Sequence, residues 1–285
     1  MPEAISTFRH PDYSSNIVDW TKFRLTVKGG RDFVTEYLEK FSIRETDNDF
    51  NKRRKITYCP AHAKAALYEI KNAIAARMID VKRSGGPASY TQASLGENGG
   101  VDRHSRTMNG FIETEIIVDL LALGKVGVFI DKLPLRDTNL LSDNNGITPY
   151  LYTYKCEDIM AWSFNSFDQI DTILLREQAE IEDPDTGLII RTEKRYRYLA
   201  ATSEGVVVRF YDKNSVEIVE ERTVLDIGNI PFVVFEISQS LLEDVADYQV
   251  SLLNLESSDI GYSLKSNFPF YTEQFDPYRA MVDNL

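Results

Sequence analysis

Cysteine is nearly absent from this sequence: Cys59 and Cys156 are the only two in 285 residues. Two thiols so far apart make neither a disulfide framework nor a metal-ligand pattern, so a reducing compartment is expected. Histidine is almost as scarce. His10, His62 and His104 stand alone, none with a second ligand at helical or short-loop spacing, and no metal or other cofactor is expected. No apolar run approaches the roughly 18 residues of a membrane span. The opening Met1-Pro2-Glu3-Ala4 has neither the basic nor the apolar part of a signal peptide, so neither secretion nor a membrane partner is expected.

An excess of positive charge is missing too. The formal net charge is −12, which argues against a surface that clings to nucleic-acid phosphates. The mean hides an asymmetry: residues 1–83 carry a net +5 and residues 84–285 a net −17. The one dense basic run, Lys52-Arg53-Arg54-Lys55, reads first as a solvated helix face or a pairing site for acidic neighbours, and second as a phosphate contact.

Catalytic signatures are lacking as well. There is no Gly-x-Ser-x-Gly elbow, Gly96–Gly100 lacks the Gly-Lys-Ser/Thr ending of a phosphate loop, and neither cysteine has an activating neighbour. Carboxylates are plentiful, but Asp183 and Asp185 belong to a turn whose geometry they explain without chemistry. A non-enzymatic protein is expected. A hydrolase site assembled from carboxylates stays open, although no pair can be named.

What is present is globular: 43% hydrophobic, 11% aromatic and 27% charged residues. Phe33, Tyr37, Leu38 and Phe41 predict a helix over 32–41 after the Gly29-Gly30 breaker. A second helix begins near Pro60, with Ala63, Ala66, Leu67, Ile70, Ala73 and Ile74 as its apolar stripe. Residues 84–105, rich in Gly, Ser and Asn, read as a mobile loop. A helix over 109–123 ends at Gly124 and feeds a strand over 126–130.

From 149 to 235 the period shortens to two. Strands are predicted over 150–154, 170–181, 188–199, 206–211, 216–219 and 233–237, with turn chemistry at Asp183–Gly187 and Thr202–Gly205 joining neighbours into an antiparallel meander. The period then lengthens to 3.6. Leu241, Val245, Tyr248, Leu252 and Leu255 fall in one narrow stripe flanked by Leu242, Ala246, Leu253, Ile260 and Leu264. The opposite face carries Glu243, Asp244, Asp247, Ser251, Asn254, Ser257, Ser258 and Gly261, acidic or small, with Asp244, Asp247, Ser251 and Ser258 as its central candidates. The predicted fold class is α+β: N-terminal helices and a meander over 1–235, a long helix over 236–267 and a new segment from 268. An ordinary amphipathic helix covering its own sheet is the plainer reading of that stripe.

The order of these elements resembles the portal, or head–tail connector, proteins of tailed bacteriophages. The resemblance is carried by the opening tract Thr26-Val27-Lys28-Gly29-Gly30, Phe33-Val34 and Tyr37-Leu38. It continues in LLALGKVGVFID (120–131), PYLYTYKCEDIMAW (149–162), ILLRE (173–177), KRYRYL (194–199) and GNIPFVVF (228–235). Their order, with the long helix that follows them, extends over residues 23–265.

The resemblance implies a homo-oligomeric ring, usually of twelve subunits, at one vertex of the capsid. Residues 1–235 would form its wing, 236–267 its stem helix and 268–285 the start of its clip, and a portal chain would continue beyond Leu285. It implies as partners a terminase that supplies the ATP chemistry, the major capsid protein, a head–tail adaptor and double-stranded DNA passing through. The location implied is the virion, after assembly in the host cytoplasm. On this reading Leu241, Val245, Tyr248, Leu252 and Leu255 are subunit-interface candidates, and Asp244, Asp247, Ser251 and Ser258 face the channel. A different virion structural or adaptor protein, using its meander as an interaction platform, is the alternative.

Overall fold

The computed structural model describes residues 4–78, 85–131, 149–183 and 186–267. The chain is α+β. Helices α1 (Pro11–Lys28), α2 (Gly30–Tyr37), α3 (Asp47–Ile56), α4 (His62–Met78) and α5 (Ala88–Ser94) come first. Next come α6 (Met108–Phe111), a π-turn (Ile112–Ile116) and α7 (Ile117–Leu123), which read as one interrupted helix. Strands β1 (Lys125–Asp131), β2 (Tyr150–Lys155), β3 (Ile159–Phe164), β4 (Ile170–Glu182), β5 (Ile189–Thr202), β6 (Gly205–Tyr211), β7 (Thr223–Leu225) and β8 (Phe232–Glu236) precede helix α8 (Glu243–Asn267). Two compact units result. One comprises the chain up to Lys28 with Ala61–Ala246, and the other Gly29–Pro60 with the chain from Asp247.

The first unit is built on two antiparallel sheets. One has the order β2-β1-β8, and the other is the meander β3-β4-β5-β6-β7. The predicted turns close the meander: Asp183 N–H donates to Leu188 O, and Thr202 pairs with Gly205. Residues 150–154 do not join it, because β2 pairs with β1 in the smaller sheet. Strand β3 takes its place. The sequence expectation passed over β3 because its apolar residues run continuously (Ile159-Met160-Ala161-Trp162), as suits a strand buried on both faces. The strand predicted over 216–219 is reduced to one bridge, Tyr211 to Glu217, since Asp212 accepts from Asn214 N–H and Val216 N–H and curls the chain first.

Strand β1 is covered on both faces. Val126 and Val128 pack with Phe111 and Ile116, and Phe129 packs with Ile159, Phe232 and Leu175. Gly127, facing the second set, has no room for a side chain: a Cβ there would lie 2.2 Å from Phe232 Cζ and 2.9 Å from Ile159 Cδ1. Gly127→Val should therefore destabilise this unit by about 1–3 kcal/mol or more through overpacking, read as a lowered urea midpoint. At the other end of the helix–strand unit, Gly124 takes the left-handed conformation (φ 79°, ψ −9°) that ends α7, as its sequence position predicts.

Helix α1 was not anticipated. Tyr13, Ile17, Trp20, Phe23 and Val27 form its inward stripe, but Thr, Asn and Asp between them dilute the pattern. In the predicted helix over 32–41 the chain leaves helical geometry at Leu38, so Phe41 stands outside it and exposed. On α4 only Ala63 and Leu67 of the expected stripe are buried, whereas Ile70 and Ile74 face outward. Its inward line continues at steps of four, through Lys71, whose ammonium pairs with Glu113 at 2.7 Å. The expected loop over 84–105 holds α5 and buries Ala93, Ser94 and Val101, so from residue 85 onward it is ordered structure. Residue 84 and residues 268–285 lie outside the described residues.

Candidate functional site

Helix α8 carries the residues singled out from sequence. Its start is anchored in the first unit. Ser240 Oγ donates to Ala122 O at 2.6 Å and accepts from Leu242 N–H at 3.0 Å, while Leu241 N–H donates to Leu121 O. Glu243 and Asp244 occupy the first turn, where the helix dipole favours negative charge. The helix runs about 37 Å at 1.5 Å per residue. The helix predicted from residue 236 begins only at Glu243, because β8 takes residue 236 and a non-helical turn anchored by Ser240 follows, so Leu241 sits ahead of the helix.

The buried face of this segment is Leu242, Ala246, Gln249, Leu253 and Ser257. Leu242, Ala246 and Leu253 were read as flanking positions, whereas Ser257 was expected on the polar face and is buried because its hydroxyl pairs with Arg53 and Thr57. The stripe itself is exposed: Leu241 43%, Val245 42%, Tyr248 76%, Leu252 45% and Leu255 66%. At about 100° per residue its centre lies roughly 120° around the helix from the centre of the buried face. Asp244, Asp247 and Ser251 are exposed and Ser258 is half-buried, on a third arc opposite the buried one. One helix thus presents a satisfied face, an uncovered apolar seam and an acidic strip.

The buried face is fixed within the second unit by polar contacts. Ser257 Oγ meets Arg53 Nη1 at 2.7 Å and Thr57 Oγ1 at 2.9 Å, and the Asn254 amide donates to Tyr37 O and accepts from Glu39 N–H. Arg53 donates from Nε and Nη2 to both oxygens of Glu45, each at 2.8 Å, and from Nη2 to Glu39 O. Its guanidinium lies 4.7 Å from the Phe41 ring centroid. Those two hydrogen bonds from Arg53 hold the Glu45 carboxyl below the usual carboxylate range despite burial. Within the basic run, Arg53 is therefore a pairing site for an acidic neighbour.

Two further charge clusters join residues far apart in sequence, and no local pattern signals either. Arg24 on α1 binds Asp119 on α7 and Glu157 in the turn after β2, using a two-oxygen grip on each at 2.7–3.1 Å. Arg197 on β5 reaches Tyr152 Oη at 2.7 Å and lies 2.9 Å from Glu177, which also accepts from Tyr154 Oη. Burial and Glu177 push the Tyr154 hydroxyl upward, so it stays neutral and donates. The Arg197 contacts tie the two sheets of the first unit together, and the Arg24 contacts tie helices α1 and α7 to the turn after β2. Both cysteines are buried with their thiols pushed up, chiefly by burial. Among the described residues no three His, Cys, Asp or Glu side chains stand together as a metal site.

The Arg24 cluster makes a pH prediction. Burial raises the Glu157 carboxyl, yet the Arg24 hydrogen bonds and charge outweigh it and leave it below its ordinary value. A depressed folded value gives stability that is complete above the unfolded value of about 4.3 and is lost as pH falls toward the folded one. In Arg24→Met burial, the largest influence, is opposed only by the weaker hydrogen bonds from the Glu157 backbone and the Cys156 thiol, and the sign reverses. That variant should lose stability as pH rises from about 4 to 7, where the parent does not, in urea midpoints measured across that range.

No family model matches the chain, and no curated protein matches it. Among the described residues no helix is long and apolar enough to cross a membrane.

Proposed function

We propose that the chain is a subunit of a closed ring of the kind formed by tailed-phage portal proteins, a non-enzymatic conduit for double-stranded DNA at the portal vertex of a virion. On this reading terminase, the major capsid protein and a head–tail adaptor are its partners. The first unit corresponds to most of the wing and α8 to the stem helix. The observation that carries the reading is the exposed seam of Leu241, Val245, Tyr248, Leu252 and Leu255, lying beside a face of α8 that is already buried. Contiguous exposed apolar surface marks an interaction site. Covering five such half-exposed side chains stabilises an interface on the order of 1 kcal/mol each.

The strip of Asp244, Asp247, Ser251 and Ser258 suits the bore. A conduit must let duplex slide, and each retained lysine–phosphate contact adds a salt-sensitive binding step. Acidic and short side chains repel the backbone and avoid that trap. Asp247→Lys should therefore leave assembly intact and slow DNA passage, most at low salt. Packaging rates unchanged at low ionic strength would count against the channel-facing assignment.

The second reading is a virion adaptor that uses its meander as a platform, favoured by β3 and β7 standing at the edges of the five-stranded sheet. Particle size after gentle purification separates the two, since only the first requires large closed rings.

A further inference from the structure

Strands β4 and β5 outrun their neighbours. Strand β3 pairs with β4 only as far as Leu175, and β6 pairs with β5 only from Tyr196. Beyond these points 176–182 and 189–195 continue as a two-stranded ribbon, about 20 Å long at 3.3 Å per residue. Among the described residues no third strand pairs with either stretch. Each outer edge of such a ribbon offers backbone N–H and C=O groups to a further strand, and two strands alone have little stability in water.

The two edges differ in sign. Charges at the base are already paired, Arg176 with Asp158 and Glu177 with Arg195 and Arg197. Further out, the β4 edge carries Glu180 and Glu182, both exposed and in no ion pair among the described residues. The β5 edge carries Arg191 and Lys194, also exposed. Its one carboxylate, Glu193, is taken up by Arg191 at 2.9 Å and Lys213 at 3.3 Å, and Lys194 has no ion partner among the described residues. In the register Gln178 faces Lys194 and Glu180 faces Thr192, so Glu180 and Lys194 project from the same face of the ribbon. Glu182 lies at the tip opposite Ile189, where Leu188, Ile189 and Ile190 are exposed.

These charges discriminate between the ways two ribbons can meet. Two β4 edges would set Glu180 and Glu182 against their own copies, and two β5 edges would do the same with Arg191 and Lys194. Like charges directly opposite each other are unfavourable in a sheet. Only a β4 edge against a β5 edge brings opposite charges together, and the repulsive pairings exclude the alternatives.

We propose that the outer β4 edge of one copy pairs antiparallel with the outer β5 edge of the next, Glu180 meeting Lys194, so that the ribbons of neighbouring subunits form one continuous belt. The occupant is a second copy because the chain itself supplies the edge of opposite charge, in the antiparallel sense that β4 and β5 already adopt within a copy. Two different edges make a head-to-tail contact, the type that closes into a ring when its rotation divides a full turn. Apolar tips of adjacent ribbons then lie side by side and cover one another. The inference rests on the ring reading and adds a second contact to the α8 seam.

The experiment mixes full chains carrying single cysteines, Glu180→Cys with Ile190→Cys, Thr192→Cys or Lys194→Cys in turn, under mild oxidation. Both native cysteines are buried. A disulfide-linked dimer is expected in at least one mixture, the one that matches the register between copies. No single variant should give it alone, because equivalent positions on adjacent copies lie two strand spacings apart, about 9.5 Å, beyond disulfide reach. In parallel, Arg191→Glu with Lys194→Glu should weaken assembly roughly tenfold or more, since two acidic edges would then meet. Adding Glu180→Arg and Glu182→Arg to that chain restores opposite signs and should restore assembly.

Rings of normal appearance with no disulfide in any mixture overturn the edge-to-edge contact alone. An assembly constant unchanged by Arg191→Glu with Lys194→Glu, or not recovered by the full reversal, overturns it as well. A parent chain that stays monomeric and mixtures that give no cross-link overturn the ring reading with it.

Discussion

Leu252→Asp should abolish rings while leaving the subunit folded. Leu252 is 45% exposed on the uncovered seam of α8, so the monomer loses little: about 0.5 kcal/mol from the poorer helix propensity of aspartate and the lost apolar contact. In a ring the same position is repeated at every interface. A carboxylate forced into apolar surroundings at each of them costs several kcal/mol per contact without a partner. The expected result is a monomer with an almost unchanged urea midpoint and no closed particles by negative-stain imaging. Normal rings from this variant would show that the seam is not the subunit contact.

The second large effect falls on folding. Arg53→Ala leaves the Glu45 carboxylate, 3% exposed, with no guanidinium to neutralise it, and leaves Ser257 Oγ and Glu39 O without their donor. Breaking one partner of a buried ion pair typically costs about 3–5 kcal/mol, since the remaining charge is stranded. For a unit as small as 29–60 with part of α8, a loss of that size amounts to unfolding at moderate temperature. The double variant Arg53→Leu with Glu45→Leu should recover much of it, because an apolar pair has no charge to desolvate. Amide exchange separates the outcomes: protection should be lost across 29–60 and 247–267 in Arg53→Ala and regained in the double variant. The same single change should lose rings, since most of the seam lies on the helix segment of that unit.

Those two residues also show what the sequence made legible. Leu252 was found from periodicity alone, and so was the acidic strip, because a helix converts spacing directly into faces. What spacing did not reveal was which face would be buried. Leu242, Ala246 and Leu253 are as apolar as the seam, and the choice between two adjacent stripes depends on Gln249, Asn254 and Ser257 finding partners in segments some 190 to 217 residues away. Arg53 was read within a basic run, and its burial became visible only once Glu45, Phe41 and Ser257 surrounded it.

In the sheets, turn chemistry at Asp183–Gly187 and Thr202–Gly205 correctly joined β4, β5 and β6, because a tight turn is a local event. The assignment of β2 to a different sheet is not local. It follows from β1, on the far side of residues 132–148 in the chain, and from β8, some 80 residues later.

The most direct measurement is an image of the purified chain viewed along the axis of whatever particle it forms, with light scattering on the same sample. The account predicts closed rings of uniform subunit number around a central hole, and a mass that is a fixed multiple of 32.6 kDa. A single species of 32.6 kDa persisting at high concentration, with no closed particle in the images, would contradict it.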